Sequence, residues 1–396
     1  MDQSVARPRQ HTPPPEGRSR ITRLAGIPVL LALTLAGLMV QGPAAVGQGR
    51  DVRPTIVLIV TDDQRFDSLW AMPHVQRHLV SRGVTFANAF VVNPLCCPSR
   101  ASLLTGGYSH STGVYTNRGF QAFRPHAPNT LATWLQGAGY RTGLFGKYLN
   151  GYGPAGHAGY VPPGWDRWAV LAHNNGHYFD YDMNVNGTLV HHGSEAQDYS
   201  TDVAAREAVA FIRETEGPLF VLLAPYAPHG PATPAPRHEG AFADLGRWRP
   251  PSYDEKDLSD KPAWMQTLPR LDGNERESID EFRRRQYESL LAVDDAVDAV
   301  VRSLEETGRL GTSLIAYTSD NGFLWGEHRF AGKQAAFDES IRVPLVARYD
   351  PLITGPRVDP HLVLNIDLAP TVAALAGAVP PPATERVTLL PLLERS

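Results

Sequence analysis

The sequence predicts an α/β fold, with a mostly parallel central sheet flanked by helices. Two observations carry that prediction. Short, continuously apolar and β-branched runs alternate with amphipathic helical segments, the pattern of strands buried between two helical layers. Three of those runs also lead into polar residues that have no place in a core: Asp62-Asp63, His229, and Asp320-Asn321. In open parallel sheets, ligands bind just outside the carboxyl ends of the strands.

The N-terminal stretch stands apart. Arg18, Arg20 and Arg23 precede an apolar run from Ala25 to Val40, and small residues follow from Gly42 to Gly47. That order predicts a signal peptide over residues 1–47 and a secreted or extracytoplasmic protein folded from residues 51–396. The apolar run is shorter than the ~18 residues of a membrane span, so no stable span is expected. Residues 1–47 carry five arginines and two acids, so the remainder is more acidic than the whole-chain net charge of −4. An acidic remainder argues against a nucleic-acid partner. An anionic substrate would have to be held by local cations and metal.

Thr55–Val60 reads as a buried parallel strand that stops at Asp62-Asp63. Residues 99–105 read as a short helix with Ser99 at its N-cap. Asn129–Gln136 is helical in pattern, and Arg141–Phe145 returns as a strand into Gly146-Lys147. Tyr178–His192 alternates about Asn186-Gly187, a hairpin signal. Asp202–Thr215 is an amphipathic helix feeding the strand Leu219–Leu223, which leads to Pro228-His229. Residues 230–284, rich in Pro, Asp, Glu and Arg, read as a long functional loop. A helix over Arg285–Thr307 and a strand over Ser313–Thr318 then deliver Asp320-Asn321-Gly322.

Three carboxylates and an amide oxygen gathered at strand ends suit a hard cation, although either pair alone is more readily a turn or cap. The two cysteines, Cys96 and Cys97, are neighbours and cannot close a stabilising loop, which suggests a chemical task for at least one. Cys96-Cys97-Pro98-Ser99-Arg100 places a thiol at a proline turn before a helix, with an arginine one turn on. Such surroundings favour thiolates and bound anions.

Cys96-x-Pro-Ser-Arg followed by Leu104-Thr105-Gly106 resembles the signature of the formylglycine-dependent sulfatases. The resemblance extends through Asp62-Asp63, Gly139–Tyr148, Ala227-Pro228-His229, Ser319–Gly322, Gly332-Lys333 and Ile341–Pro344. It implies an alkaline-phosphatase-like sandwich hydrolysing sulfate monoesters, whose nucleophile a formylglycine-generating enzyme makes by oxidising Cys96. It further implies calcium, or magnesium, held by Asp62, Asp63, Cys96, Asp320 and Asn321. Arg100 would stabilise the nucleophile, Lys147 and Lys333 would contact sulfate, and His229, or alternatively Lys333, would be the general acid.

Cys97 and Gly146–Asn150 are most similar to the N-acetylglucosamine-6-sulfatase and heparan endosulfatase branch, implying a sulfated carbohydrate such as N-acetylglucosamine 6-sulfate, of the glycosaminoglycan kind, for substrate. Phosphate or phosphonate ester hydrolysis by the same chemistry, and a catalytically silent sulfoglycan-binding protein, are the rival readings. Leu149 departs from the histidine of many relatives, with Asn150 the nearest polar substitute. The resemblance also implies that the family's small C-terminal antiparallel domain is truncated or absent.

Overall fold

The computed structural model describes residues 53–153, 159–172, 178–380, 385 and 387–394. The expected export segment lies outside them. Strand β1 (Thr55–Thr61) is buried at every position. Its alternate side chains enter two separate apolar clusters: Ile56, Leu58 and Val60 on one face, Val57 and Ile59 on the other. Such a strand is stable only between two covering layers.

The chain then forms β2 (Val84–Phe90), helix α1 (Cys96–Thr105), α2 (Leu131–Gly137), β3 (Arg141–Gly146) and β4 (Arg167–Leu171). The hairpin strands β5 (Tyr181–Val185) and β6 (Thr188–His192) follow, then α3 (Ser200–Glu214), β7 (Leu219–Ala224) and α4 (Gly273–Glu306). After β8 (Ser313–Ser319) come a two-strand ribbon, β9 (Leu324–Trp325) with β10 (Ala331–Gly332), and then β11 (Leu345–Arg348), β12 (Arg357–Leu364) and α5 (Leu368–Ala376). The ten strands outside the ribbon make one sheet, in the order β12-β2-β11-β8-β1-β7-β3-β4-β5-β6. It is mixed: β8, β1, β7, β3 and β4 run parallel, while β11 and β5 run against their neighbours. Apolar residues of α1, α2 and α5 cover one face, and those of α3 and α4 cover the other.

Several sequence expectations need correcting. The cysteine-bearing helix begins at Cys96, not after a Ser99 cap. Pro98 falls in its first turn, where a missing N–H costs nothing, and Asn117 Oδ1 accepts the Cys97 N–H at 3.0 Å. Ser99 Oγ instead accepts from Asn365 Nδ2 at 3.0 Å, tying the helix to the turn before α5.

The 230–284 loop is shorter than expected, because α4 starts at Gly273 rather than Arg285. Its first turns are charged and largely exposed, which hid the apolar period. The start is nevertheless marked by a reciprocal cap between Asp272 and Glu275, each side chain accepting the other's backbone N–H at 2.8 Å. The hairpin stands as expected, with Asn186 and Gly187 both at positive φ.

At the end of β3 the chain crosses unusually close to β7. Gly146 has φ 110°, and a Cβ there would lie 2.1 Å from the Ala224 carbonyl oxygen. The Lys147 N–H donates to that same oxygen at 2.6 Å. Gly146→Ala should therefore destabilise the fold by more than about 1 kcal/mol, read as a lower denaturation midpoint in urea. Unchanged stability would show that the crossing is not this tight.

Candidate active site

Because β8, β1, β7 and β3 are adjacent and parallel, their carboxyl ends open at one edge of the sheet. β1 delivers Asp62 and Asp63, β8 delivers Asp320 and Asn321, and β3 delivers Lys147, while the turn beyond β7 brings His229. Asp63 adopts φ 68°, a left-handed conformation that Asp tolerates better than most residues. Its N–H donates to Asp320 Oδ1 at 3.2 Å, and the next N–H, of Gln64, donates to Ser319 Oγ at 3.0 Å. The two acidic turns are thereby locked to each other.

Cys96, at the first position of α1, projects into this group. Its Sγ lies 3.4 Å from Asp62 Oδ1 and 3.9 Å from Asp63 Oδ1. Arg100, one turn on, donates from Nε to Asp320 Oδ2 at 2.7 Å and from Nη1 to the Lys147 carbonyl at 3.1 Å. Lys147 Nζ bonds Asp62 Oδ2. Lys333 arrives from the far side of the chain, just past the ribbon. The next residue, Gln334, donates its N–H to the Pro94 carbonyl at 3.2 Å, in the loop leading to Cys96. Lys333 Nζ then reaches Asp63 Oδ1 at 2.5 Å and Cys96 Sγ at 2.7 Å.

All nine residues singled out in the sequence thus meet in one place. Three buried carboxylates face three buried or nearly buried cations, and each sign controls the other. Burial alone would raise the Asp62 carboxyl, but Lys147, His229, Arg100 and Lys333 together hold it well below the usual carboxylate range. Asp320 goes the other way, raised by burial and by neighbouring Asp62. Burial would lower Lys333, yet Asp63 and Cys96 keep its ammonium well above the usual range. Against the sequence expectation of a favoured thiolate, the Cys96 thiol is pushed up by burial and by Asp62. Cys97 points away into the apolar cluster, where burial pushes it up to about 11.

The sequence reading missed the residues that orient His229. Tyr226 Oη lies 2.5 Å from His229 Nδ1, and the Gly230 carbonyl lies 2.8 Å from the same nitrogen. Tyr178 Oη donates to the His229 carbonyl at 2.6 Å. Those contacts turn Nε2 toward the cluster, 3.6 Å from Asp63 Oδ2. The aromatic residue three positions before His229 was the available signal. Leu149 packs into the core, and the buried Asn150 Oδ1 has no hydrogen-bond partner among the described residues.

The donor set can hold a metal ion. Asp62, Asp63, Cys96 and His229 each bring one potential ligand atom within 4.8 Å of the others. Asn321 donates from Nδ2 to Asp63 Oδ1 at 2.7 Å, which leaves its buried Oδ1 without a hydrogen-bond partner. An orphaned amide oxygen beside converging carboxylates is what oxygen coordination of calcium or magnesium uses.

The family model described as Sulfatase matches residues 54–378. The chain belongs to the sulfatase family. It is 37% identical over 359 residues to the extracellular sulfatase SULF-1 homolog of Drosophila melanogaster, covering 87% of this chain and 32% of that protein. It is 34% identical over 372 residues to the N-acetylglucosamine-6-sulfatase of Homo sapiens, covering 88% of this chain and 65% of that one. The chain therefore spans between 32% and 65% of the length of these two sulfatases.

A solved complex of a protein with its substrate D-glucosamine-2-N,6-O-disulfate superposes with a TM-score of 0.72 at 26% identity, covering 86% of this chain and 80% of that one. The phosphonate monoester hydrolase of Agrobacterium radiobacter superposes with a TM-score of 0.68 at 22% identity, covering 86% and 77%, a likeness of fold alone. The architecture of this sulfatase-family chain is the alkaline-phosphatase-like α/β sandwich of these neighbours. Among the described residues, no helix is long and apolar enough to cross a membrane.

A hard divalent cation should raise the melting temperature, because a ligand bound only by the native state stabilises it, by about 2.7 kcal/mol at roughly one hundred times its dissociation constant. Asp63→Asn should remove most of that rise in a thermal melt. An equal rise in the variant would place the cation elsewhere.

Proposed function

We propose that the chain hydrolyses sulfate monoesters, with formylglycine made from Cys96 as nucleophile and calcium, or magnesium, as cofactor. The observation that carries this reading is the contact set of Cys96, whose buried Sγ meets Asp62, Asp63 and Lys333 within the charged cluster. Sγ there stands in for the hydroxyl oxygens of hydrated formylglycine. A geminal pair of hydroxyls supplies one oxygen to attack sulfur and a second to expel sulfate and regenerate the aldehyde. The cation, held by Asp62, Asp63, Asp320, Asn321 and residue 96, would supply Lewis-acid polarisation of the sulfate oxygens.

The remaining roles fall to side chains already positioned. Without the cation, three carboxylates balance three cations, so a bound divalent ion would leave the pocket positive and suited to a sulfate monoester anion. Lys147 and Lys333, paired with Asp62 and Asp63, would present their ammonium groups to the sulfate oxygens, and Arg100, which holds Asp320, would border the nucleophile. His229 would act as general acid: with Nδ1 beside Tyr226 Oη and the Gly230 carbonyl, Nε2 faces the cluster and, protonated, would donate to the leaving alcohol. Lys333 is the alternative proton donor.

A sulfated sugar is the proposed substrate, in line with the relatives named N-acetylglucosamine-6-sulfatase. Beyond Asp63, His229 and Lys333, a cleft of about 560 Å³ is walled by Trp264, Phe282, Phe323 and Phe330. Trp264 is half exposed and sets its ring edge-to-face on Phe330 at 5.7 Å, leaving a flat apolar surface for the hydrophobic face of a pyranose ring. Secretion through residues 1–47 and maturation by a formylglycine-generating enzyme complete the proposal.

Peptide mass spectrometry across residue 96 of secreted protein should find the aldehyde. Cys96→Ala should abolish release of sulfate, whereas Cys97→Ala should retain most of it. Equal loss from both substitutions would sink the assignment. Trp264→Ala should raise KM for a 6-sulfated N-acetylglucosamine several-fold and leave kcat nearly unchanged, the pattern of lost uniform binding. Unaltered KM would remove Trp264 from the sugar site.

A further inference from the structure

A second cluster of metal-ligating side chains lies away from the sheet edge, where the segment after the Asp62-Asp63 turn packs on α4. His74 and His78 are four residues apart, and their rings lie parallel at an interplanar angle of 8°. Both point to one oxygen: His78 Nε2 is 2.7 Å from Asp298 Oδ1, and His74 Nδ1 is 3.1 Å from it. The three ligand atoms lie within 4.8 Å of one another. His74 Nδ1 is buried and makes no hydrogen bond among the described residues despite that proximity, so it is not aligned as a donor to the carboxylate.

The surroundings hold this arrangement in place. Asp294, one turn before Asp298 on α4, accepts the N–H groups of His74 and Val75 at 2.9 and 2.7 Å. The histidine segment is thereby pinned by its backbone, independently of the imidazoles. Arg302, one turn after Asp298, takes the other carboxylate oxygen at 2.8 Å, which orients the carboxylate and leaves Oδ1 for a ligand. The Arg348 guanidinium donates to the His78 carbonyl at 3.1 Å, fixing the far end of the segment.

We infer that His74, His78 and Asp298 form a second metal site, for zinc or a similar borderline divalent ion such as cobalt or nickel. Two imidazoles and one carboxylate match the preferences of those ions, whereas the oxygen-rich cluster at the sheet edge suits calcium or magnesium. Ligand atoms around tetrahedral zinc lie roughly 3.3 Å apart, given bonds of about 2.0–2.2 Å. The two nitrogens stand 3.1 and 2.7 Å from Asp298 Oδ1, a little inside that spacing. Water would complete the coordination. The ion would clip the segment after β1 to α4.

The test uses the full folded chain at neutral pH with zinc alone as probe. Equilibrium dialysis should find about one zinc bound by the wild type and by Asp62→Asn/Asp320→Asn, with binding at least tenfold weaker in His74→Gln/His78→Gln. Zinc should raise the melting temperature of the first two proteins and not of the third. Retained binding in the histidine variant, or loss in the aspartate variant, would overturn the site. Should the histidine variant not fold, X-ray absorption on the zinc-loaded wild type decides the matter. Two imidazole nitrogens with oxygen ligands support the site, and sulfur ligands or a lack of imidazole refute it.

Discussion

Asp62, Asp63 and Asp320 are buried against Arg100, Lys147 and Lys333, and much of the surrounding structure is arranged so that none of these six charges is left alone. Taking ions out of water is costly, and removing one partner of a buried pair typically costs about 3–5 kcal/mol. The cluster therefore constrains the backbone that carries it. Gly146 lets β3 pass against β7 so that Lys147 reaches Asp62. Asp63 accepts a left-handed conformation that turns its N–H onto Asp320. Gly322 is hemmed in likewise, since a Cβ there would lie 2.1 Å from the Glu339 carbonyl oxygen. An unstable charge group is thus converted into a rigid one by hydrogen bonds to backbone that cannot relax.

The sheet makes that arrangement affordable in conformational terms. Four parallel neighbours end at one level, with Thr61 paired to Ser319 and Gly146 to Ala224, so residues distant in sequence emerge side by side. Apolar clusters on both faces anchor the strands below them. Above the edge, elements without a strand of their own complete the group. The cysteine helix brings Cys96 and Arg100, and the ribbon brings Lys333. The proposed zinc clip would act at a different level, on the segment joining the first acidic turn to the helical layer.

The local chemistry of the proposed site was legible in the sequence because it is written in contiguous words. Asp62-Asp63, Cys96–Arg100, Gly146-Lys147 and Asp320–Gly322 each sit at a strand or helix end, where backbone geometry alone sets their direction. The central strands were legible too, since a run apolar on both faces has few other fates. Less legible were β2, β4, β11 and β12, which are shorter or partly exposed and carry weaker patterns. The first turns of α4 were hidden by charge on every side, although the Asp272–Glu275 cap marked their start.

Tertiary structure alone decided how those words combine. Nothing in the spacing of Lys333 from Cys96 shows that their side chains touch, because the contact depends on a ribbon and on Gln334 docking to Pro94. The sequence could not say that Leu149 faces the core, and it offered Tyr226 only as an aromatic neighbour of His229, since the contact follows from how the chain turns beyond a strand end. His74, His78 and Asp298 show the same division. The histidine spacing is visible in the sequence, whereas the carboxylate that joins them lies 220 residues from His78 and comes into register only when α4 packs on the segment after β1. Residue type and strand-end position fix which chemistry is available. Long-range packing, which orders the strands and brings the loops together, fixes which groups share it.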